Sequence, residues 1–272
     1  MEIKILSPLW GNEQPDLQAF LKRVVDAGYD GIDTWIPEDK DNQSILLDYL
    51  DSHDIYLVAH QHEASGATFQ KFCRSFTSQL DKCAALKPRL INSHTGRDHF
   101  SIQQFLDLIA LADDFSAKTG ITVLHETHRG RMGYAPQMTA ELFRRNAEFL
   151  LTADFSHWTC VTESMLENFG DILKKAISRS RHIHARVGFE QGPQVPDPRA
   201  PEWQYAVSKF LGWWDEVITT NKQLGREIMT ITTEFGPIPY MPTIPFSNQP
   251  VADQFEINCF MKDLLRQRYA SE

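Results

Sequence analysis

A (β/α)₈ barrel of the α/β class is the fold this sequence predicts, and three observations point to it. Eight short apolar or β-branched runs alternate with longer amphipathic segments. The chain has 272 residues, 42% of them hydrophobic, a length that α/β barrels routinely use as one domain. No GxGxxG and no GxxxxGK(S/T) follows any run, which leaves a doubly wound nucleotide-binding sheet as the weaker alternative. No linker or low-complexity tract divides residues 1–272, so they read as a single domain.

In chain order the strands are placed at Ile3–Ser7, Gly31–Trp35, Ile55–His60, Leu90–His94, Thr122–Glu126, Leu150–Asp154, His182–Arg186 and Ile228–Glu234. Most are apolar runs ending in a polar residue, as strands covered on both faces should be. The first helix follows Pro15, with Leu17, Phe20, Leu21, Val24 and Val25 on one stripe and Gly28 where a C-terminal cap belongs. Phe69, Phe72, Phe76, Leu80 and Cys83 repeat the stripe. A capping box of Ser101 and Gln104 opens a helix through Ile102, Phe105, Ile109 and Ala112 that Gly120 ends. Further helices are expected near 42–52, 136–148, 164–178, 202–221 and 250–267. Trp213 and Trp214 are core residues.

The net charge of −9 argues against a protein built to grip nucleic acid. No apolar run reaches the roughly 18 residues of a membrane span, and no secretory h-region is visible, so a cytoplasmic protein is expected. Cys73, Cys83, Cys160 and Cys259 form no CxxC and read as reduced thiols. Nine of the 14 prolines crowd into 193–201 and 237–250, after strands seven and eight, and predict stiff walls at the active-site face.

Eight of the ten histidines (His60, His62, His94, His125, His128, His157, His182 and His184) stand at or just past strand ends. In a barrel such positions converge on one mouth. Glu126, Asp154 and Glu234 each close an apolar or β-branched run, where an unpaired carboxylate is expensive to bury. A divalent cation would relieve all three, and salt bridges to arginines are the alternative. His182 and His184 point to the same side of their strand. His184 is nearer the mouth and becomes the fourth ligand, with His182 one layer deeper. Three carboxylates and one imidazole favour one Mn²⁺, Mg²⁺ or Co²⁺ ion, with Zn²⁺ as the late-metal option.

Glu126, the Asp154-Phe155-Ser156-His157 motif, His182-Ile183-His184 and Glu234, in this order, resemble the xylose isomerase-like TIM barrels. The resemblance covers the whole chain and is to the sugar isomerase and epimerase branch, which includes tagatose-type 3-epimerases, hydroxypyruvate isomerase and inosose dehydratase. It implies one divalent metal on Glu126, Asp154, His184 and Glu234, proton transfer by Glu126 and Glu234, and a substrate contact from His157. Two positions depart from the 3-epimerases. Their acid six residues after the strand-five glutamate is Met132 here, and their arginine six after the strand-seven histidine is Glu190. Arg186 and Arg199 stand nearby instead, so the substrate is not expected to be handled as in the ketohexose epimerases.

Further substrate contacts are read at Arg186, His94, His128, Arg129, Trp10 and Trp35. His128, Arg129 and Arg131 form either a clamp for an anion or a solvated turn. Trp10 and Trp35 either stack on a sugar face or fill loops. Asp98 is a further hydroxyl partner in reach, and one of His60 and His62 should enter the pocket. The expected function is a metal-dependent isomerase or epimerase of a small carbohydrate. The alternatives are a dehydratase on the same site, an endonuclease of the endonuclease-IV type, which an acidic chain fits poorly, and a sugar-binding barrel without turnover.

Overall fold

The computed structural model describes residues 1–13 and 16–270, so Pro15 lies outside the described residues. Eight parallel strands close into a barrel in sequence order. They are β1 (Glu2–Pro8), β2 (Gly31–Thr34), β3 (Tyr56–Gln61), β4 (Leu90–Ser93), β5 (Thr122–Glu126), β6 (Leu151–Ala153), β7 (Ser180–His184) and β8 (Ile228–Thr232). The seam pairs β1 with β8 from Glu2↔Ile228 to Leu6↔Thr232. The helices are α1 (Leu17–Asp26), α2 (Lys40–His53), α3 (Phe69–Ala84), α4 (Ile102–Thr119), α5 (Pro136–Arg145), α6 (Phe155–Thr162), α7 (Gly170–Arg179), α8 (Gln204–Gln223) and α9 (Gln254–Tyr269).

Local chemistry explains the helix ends. The side chains of Asp16, Thr68, Ser101 and Asp253 each accept a backbone N–H in the first turn of α1, α3, α4 and α9. Ser101 and Gln104 form the full capping box, and Gly120 ends α4 in the left-handed region. Apolar stripes of the helices pack on the outer barrel face, with Phe20, Phe105, Phe143, Phe210, Trp158 and Trp214 fully enclosed.

The expected elements are all present, with shifted bounds and two corrections. The helix expected over 164–178 is α7 alone, preceded by a separate α6 that starts directly after Asp154. Asp154 caps α6, its side chain accepting from Ser156 N at 3.1 Å, so the Asp154-Phe155-Ser156-His157 motif and a helix start share the same residues. Strands six, seven and eight stop before Asp154, Arg186 and Glu234, which lie just past the ladder. A small hairpin, β9 (Thr243–Ile244) with β10 (Gln249–Pro250), interrupts the second proline-rich stretch. Among the described residues no helix is long and apolar enough to cross a membrane, and the four cysteines are free thiols.

Candidate metal centre and substrate cavity

Inward-facing residues at the ends of β5–β8 converge. Glu126, Asp154, His184 and Glu234 are all buried, and one donor atom from each lies within 4.8 Å of the others. His184 Nδ1 stands 2.8 Å from Glu234 Oε2 and 3.6 Å from Glu126 Oε2. Glu126 Oε1, His184 Nδ1 and Glu234 Oε2 are buried without a hydrogen-bond partner. Buried polar atoms are normally satisfied, so three orphans within one cluster of potential ligands fit a bound cation. Mostly oxygen donors with one imidazole are the chemistry a hard divalent ion takes.

A shell from the other strands orients these donors. Asp33, on β2, accepts from His184 Nε2 at 3.0 Å and from Thr232 Oγ1 at 3.0 Å, and His182 Nε2 lies 3.4 Å away. A carboxylate on Nε2 holds the proton there and turns the Nδ1 lone pair toward the other ligands. On β4, Asn92 Nδ2 donates to Glu126 Oε2 at 2.7 Å, and His94 Nε2 lies 3.0 Å from the same oxygen. Arg186, 1% exposed, pairs with Asp154 and stands 3.5 Å from Glu234 Oε2.

Burial works against every charge here, and the neighbours decide the outcome. For Asp154, burial and the adjacent Glu234 and Glu126 outweigh Arg186 and push its carboxyl up to about 7. Burial opposes charge on His184 too, yet Glu234 and Glu126 hold its pKa well above the usual value. Burial would raise Glu126, but His94 and His184 bring it well below the usual range. Asp33 is lowered in the same way by the hydrogen bonds from His182 and His184. His128 is pushed down by burial to about 4, so it stays neutral.

The profile of the xylose isomerase-like TIM barrel family matches residues 21–193. The chain belongs to that family. Its barrel is similar to an apo 3-keto-D-glucoside 4-epimerase from E. coli, with a TM-score of 0.65 and 10% identity over 98% of this chain and 100% of the other. A probable 3-DHS dehydratase from Bacillus anthracis gives 0.63 and 14%, over 98% and 100%. A xylose isomerase-like TIM barrel protein from Mycobacterium smegmatis, in complex with magnesium, gives 0.63 and 11%, over 97% and 95%. No curated protein matches by sequence.

In this xylose isomerase-like barrel a cavity of ≈260 Å³ opens above the cluster. Trp10, Trp35, His94, His128, Arg186 and Glu234 all line it. Both His60 and His62 enter, rather than one of them. His157 is fully buried behind His128, its Nε2 accepting from Arg186 Nη2 at 2.8 Å. Three expectations shift. Arg129 lies behind Tyr240, its guanidinium 5.2 Å from that ring. Asp98 is exposed and paired with His99. His125 alternates to the outer face of β5, where its Nδ1 meets Thr95 Oγ1 at 2.7 Å.

Sequence reasoning passed over Asp33, Asn92 and Tyr240. A lone Asp in the buried run Gly31-Ile32-Asp33-Thr34 was a signal in itself, since such a charge needs a partner. Tyr240 roofs the cavity, edge-on to Trp10 at 5.0 Å and under the Arg186 guanidinium at 4.8 Å. Its hydroxyl is raised by burial, against Arg186 and Arg129.

The backbone after Glu234 has left the strand ladder and is held by side-chain amides. Asn258 of α9 accepts from Phe235 N and donates to Phe235 O, both at 2.9 Å. Gln194, from the loop after β7, accepts from Gly236 N at 2.7 Å and donates to Gly236 O at 3.2 Å. Glycine is required at 236 because the Trp10 indole lies 2.2 Å from where a Cβ would stand.

Proposed function

We propose that the protein is a divalent-metal-dependent isomerase or epimerase of a small keto sugar. The observation that carries this reading is the pair of glutamates, Glu126 at the end of β5 and Glu234 just past β8, that both approach His184 Nδ1 beside one cavity. Mn²⁺, Mg²⁺ or Co²⁺ suits the oxygen-rich donor set. A divalent ion on Glu126, Asp154, His184 and Glu234 would supply Lewis-acid polarisation of a carbonyl, which acidifies the neighbouring C–H. Glu234 lines the cavity and its Oε2 accepts no hydrogen bond, so it is placed to take that proton. Glu126, held by Asn92 and His94, returns a proton from another direction. Arg186 balances charge beside Asp154, and the aromatic walls from Trp10, Trp35 and Tyr240 keep water out and give a sugar face something to stack on.

The test is proton NMR of a panel of keto sugars and inososes in D₂O with Mn²⁺- or Mg²⁺-loaded protein, the Mn²⁺ being removed before spectra are recorded. Deuterium should enter at the carbon beside the carbonyl, and Glu234→Gln should stop turnover. Turnover without deuterium would rule out glutamate proton transfer. Loss of a β-hydroxyl after the same exchange would assign a dehydratase.

A further inference from the structure

Of the four candidate ligands, Glu234 has the least support from the barrel. Glu126 and His184 lie within β5 and β7. Asp154 stands just past β6, but its N–H donates to Thr127 Oγ1 at 2.9 Å and its side chain caps α6. Beyond β8, Thr233 N still reaches the Leu6 carbonyl of β1 at 3.1 Å, and there the ladder ends. The Glu234 carboxylate is not tethered by its own bonds, since Oε2 accepts none. Its place is therefore set by the backbone that follows.

Gln194, 4% exposed, grips that backbone with both ends of one amide, accepting from Gly236 N and donating to Gly236 O. The amide satisfies the two groups a neighbouring strand would otherwise take. Gln194 is itself fixed. Val195 N donates to Val187 O and Phe189 N to Gly192 O, both at 2.8 Å, which folds the loop after β7 back on itself. Gly188 seats this loop on the start of α6, where a Cβ would fall 2.9 Å from Ser156 Cα. Arg186, at the root of the loop, pairs with Asp154. One loop thus contacts both the motif that carries Asp154 and the stretch that carries Glu234.

We infer that Gln194 is a positioning residue for Glu234, fixing its carboxylate relative to Asp154 and His184 through the loop after β7. The amide meets the Gly236 backbone and acts on Glu234 through it. The inference rests on the metal-ligand role given to Glu234 above, and not on the reaction.

Gln194→Met keeps the side-chain length and removes both hydrogen bonds. Asn221→Leu is the matched control. Asn221, 1% exposed, also makes two amide hydrogen bonds, to Ser180 O and Val217 O, both at 2.9 Å. It meets β7 at the end opposite His184, about 13 Å along the strand. Calorimetry with Mn²⁺ should show affinity about tenfold weaker in Gln194→Met, as for a group that orients a ligand, and unchanged in Asn221→Leu. In the metal-free protein the His184 ring ¹⁵N signals should shift in Gln194→Met alone, because Glu234 Oε2 stands 2.8 Å from His184 Nδ1. Should Gln194→Met not fold, Gln194→Asn, one methylene too short to reach both groups, makes the same comparison. Unchanged Mn²⁺ affinity, unmoved His184 signals, or equal losses in the Gln194 and Asn221 variants would overturn the inference. If the wild type binds no Mn²⁺, the metal reading falls and the His184 signals alone decide. A shift confined to the Gln194 variant then upholds the positioning, and no shift overturns it.

Discussion

Strands β5–β8 and the residues just past them deliver Glu126, Asp154, His184 and Glu234, every one buried, whereas β1–β4 and their loops deliver Trp10, Trp35, His60, His62 and His94, every one partly buried. One half of the barrel concentrates charge, and the other gives the cavity its shape. The halves are not independent. Asp33 and Asn92 reach from the second half to hold His184 and Glu126 in the first. The candidate metal centre is thus made by one set of strands and aimed by the other, and substitutions on the two sides should fail differently.

The sharpest break is expected from a ligand. Asp154→Ala should abolish stoichiometric metal, read by elemental analysis, with the helical circular dichroism unchanged. His62→Ala on the other side should keep it. Next comes the counter-ion. Arg186→Met leaves the carboxylates of Asp154 and Glu234 without their buried cation, so the metal-free protein should lose about 3–5 kcal/mol in urea unfolding. Added Mn²⁺ should recover much of that loss. If Arg186→Met unfolds like the wild type without metal, the guanidinium is not the counter-charge.

A smaller effect should come from the aiming side. Asp33→Asn keeps the shape but weakens the hold on His184 Nε2, and Mn²⁺ affinity should fall about 10–100-fold by calorimetry. Unchanged affinity would reduce Asp33 to a structural role. The mildest is pH. Metal ligands must be deprotonated, yet without metal Asp154 titrates at about 7 and His184 is held protonated. Metal binding should therefore release protons, and affinity should drop as pH falls from 8 to 6, about tenfold per pH unit for each proton displaced. Calorimetry in buffers of different ionisation enthalpy reads the proton count, and a count of zero would contradict these shifts.

How much of this could be read in the chain depends on how local each signal is. Glu126, Asp154 and Glu234 were visible because each closes an apolar or β-branched run at a strand end, and His184 because it stands nearer the mouth than His182. The barrel brings such ends together. Asp33 and His184 are 151 positions apart, and nothing near Asp33 in sequence indicates that partner. Arg129 and Arg186 look alike as loop arginines, but one lies behind Tyr240 and the other meets Asp154, a difference set by how the loops after β5 and β7 pack. Helix α6 was missed because its eight residues begin inside the Asp-x-x-His motif, which reads first as chemistry. Strands β9 and β10 have two residues each, too few to show any period.

The amides on the backbone after Glu234 come from two parts of the chain that are synthesised at different times. Asn258 lies on α9, and from the same helix Gln254 donates to the Trp10 carbonyl at 2.8 Å. One late helix thus stitches the β1 and β8 loops together across the seam that closes the barrel. During synthesis all four candidate ligands and Gln194 emerge before Asn258 does, so the stretch that carries Glu234 gains its second clamp only when α9 docks. The finished geometry of the candidate metal site is then complete only after the last helix of the chain has been made and has docked.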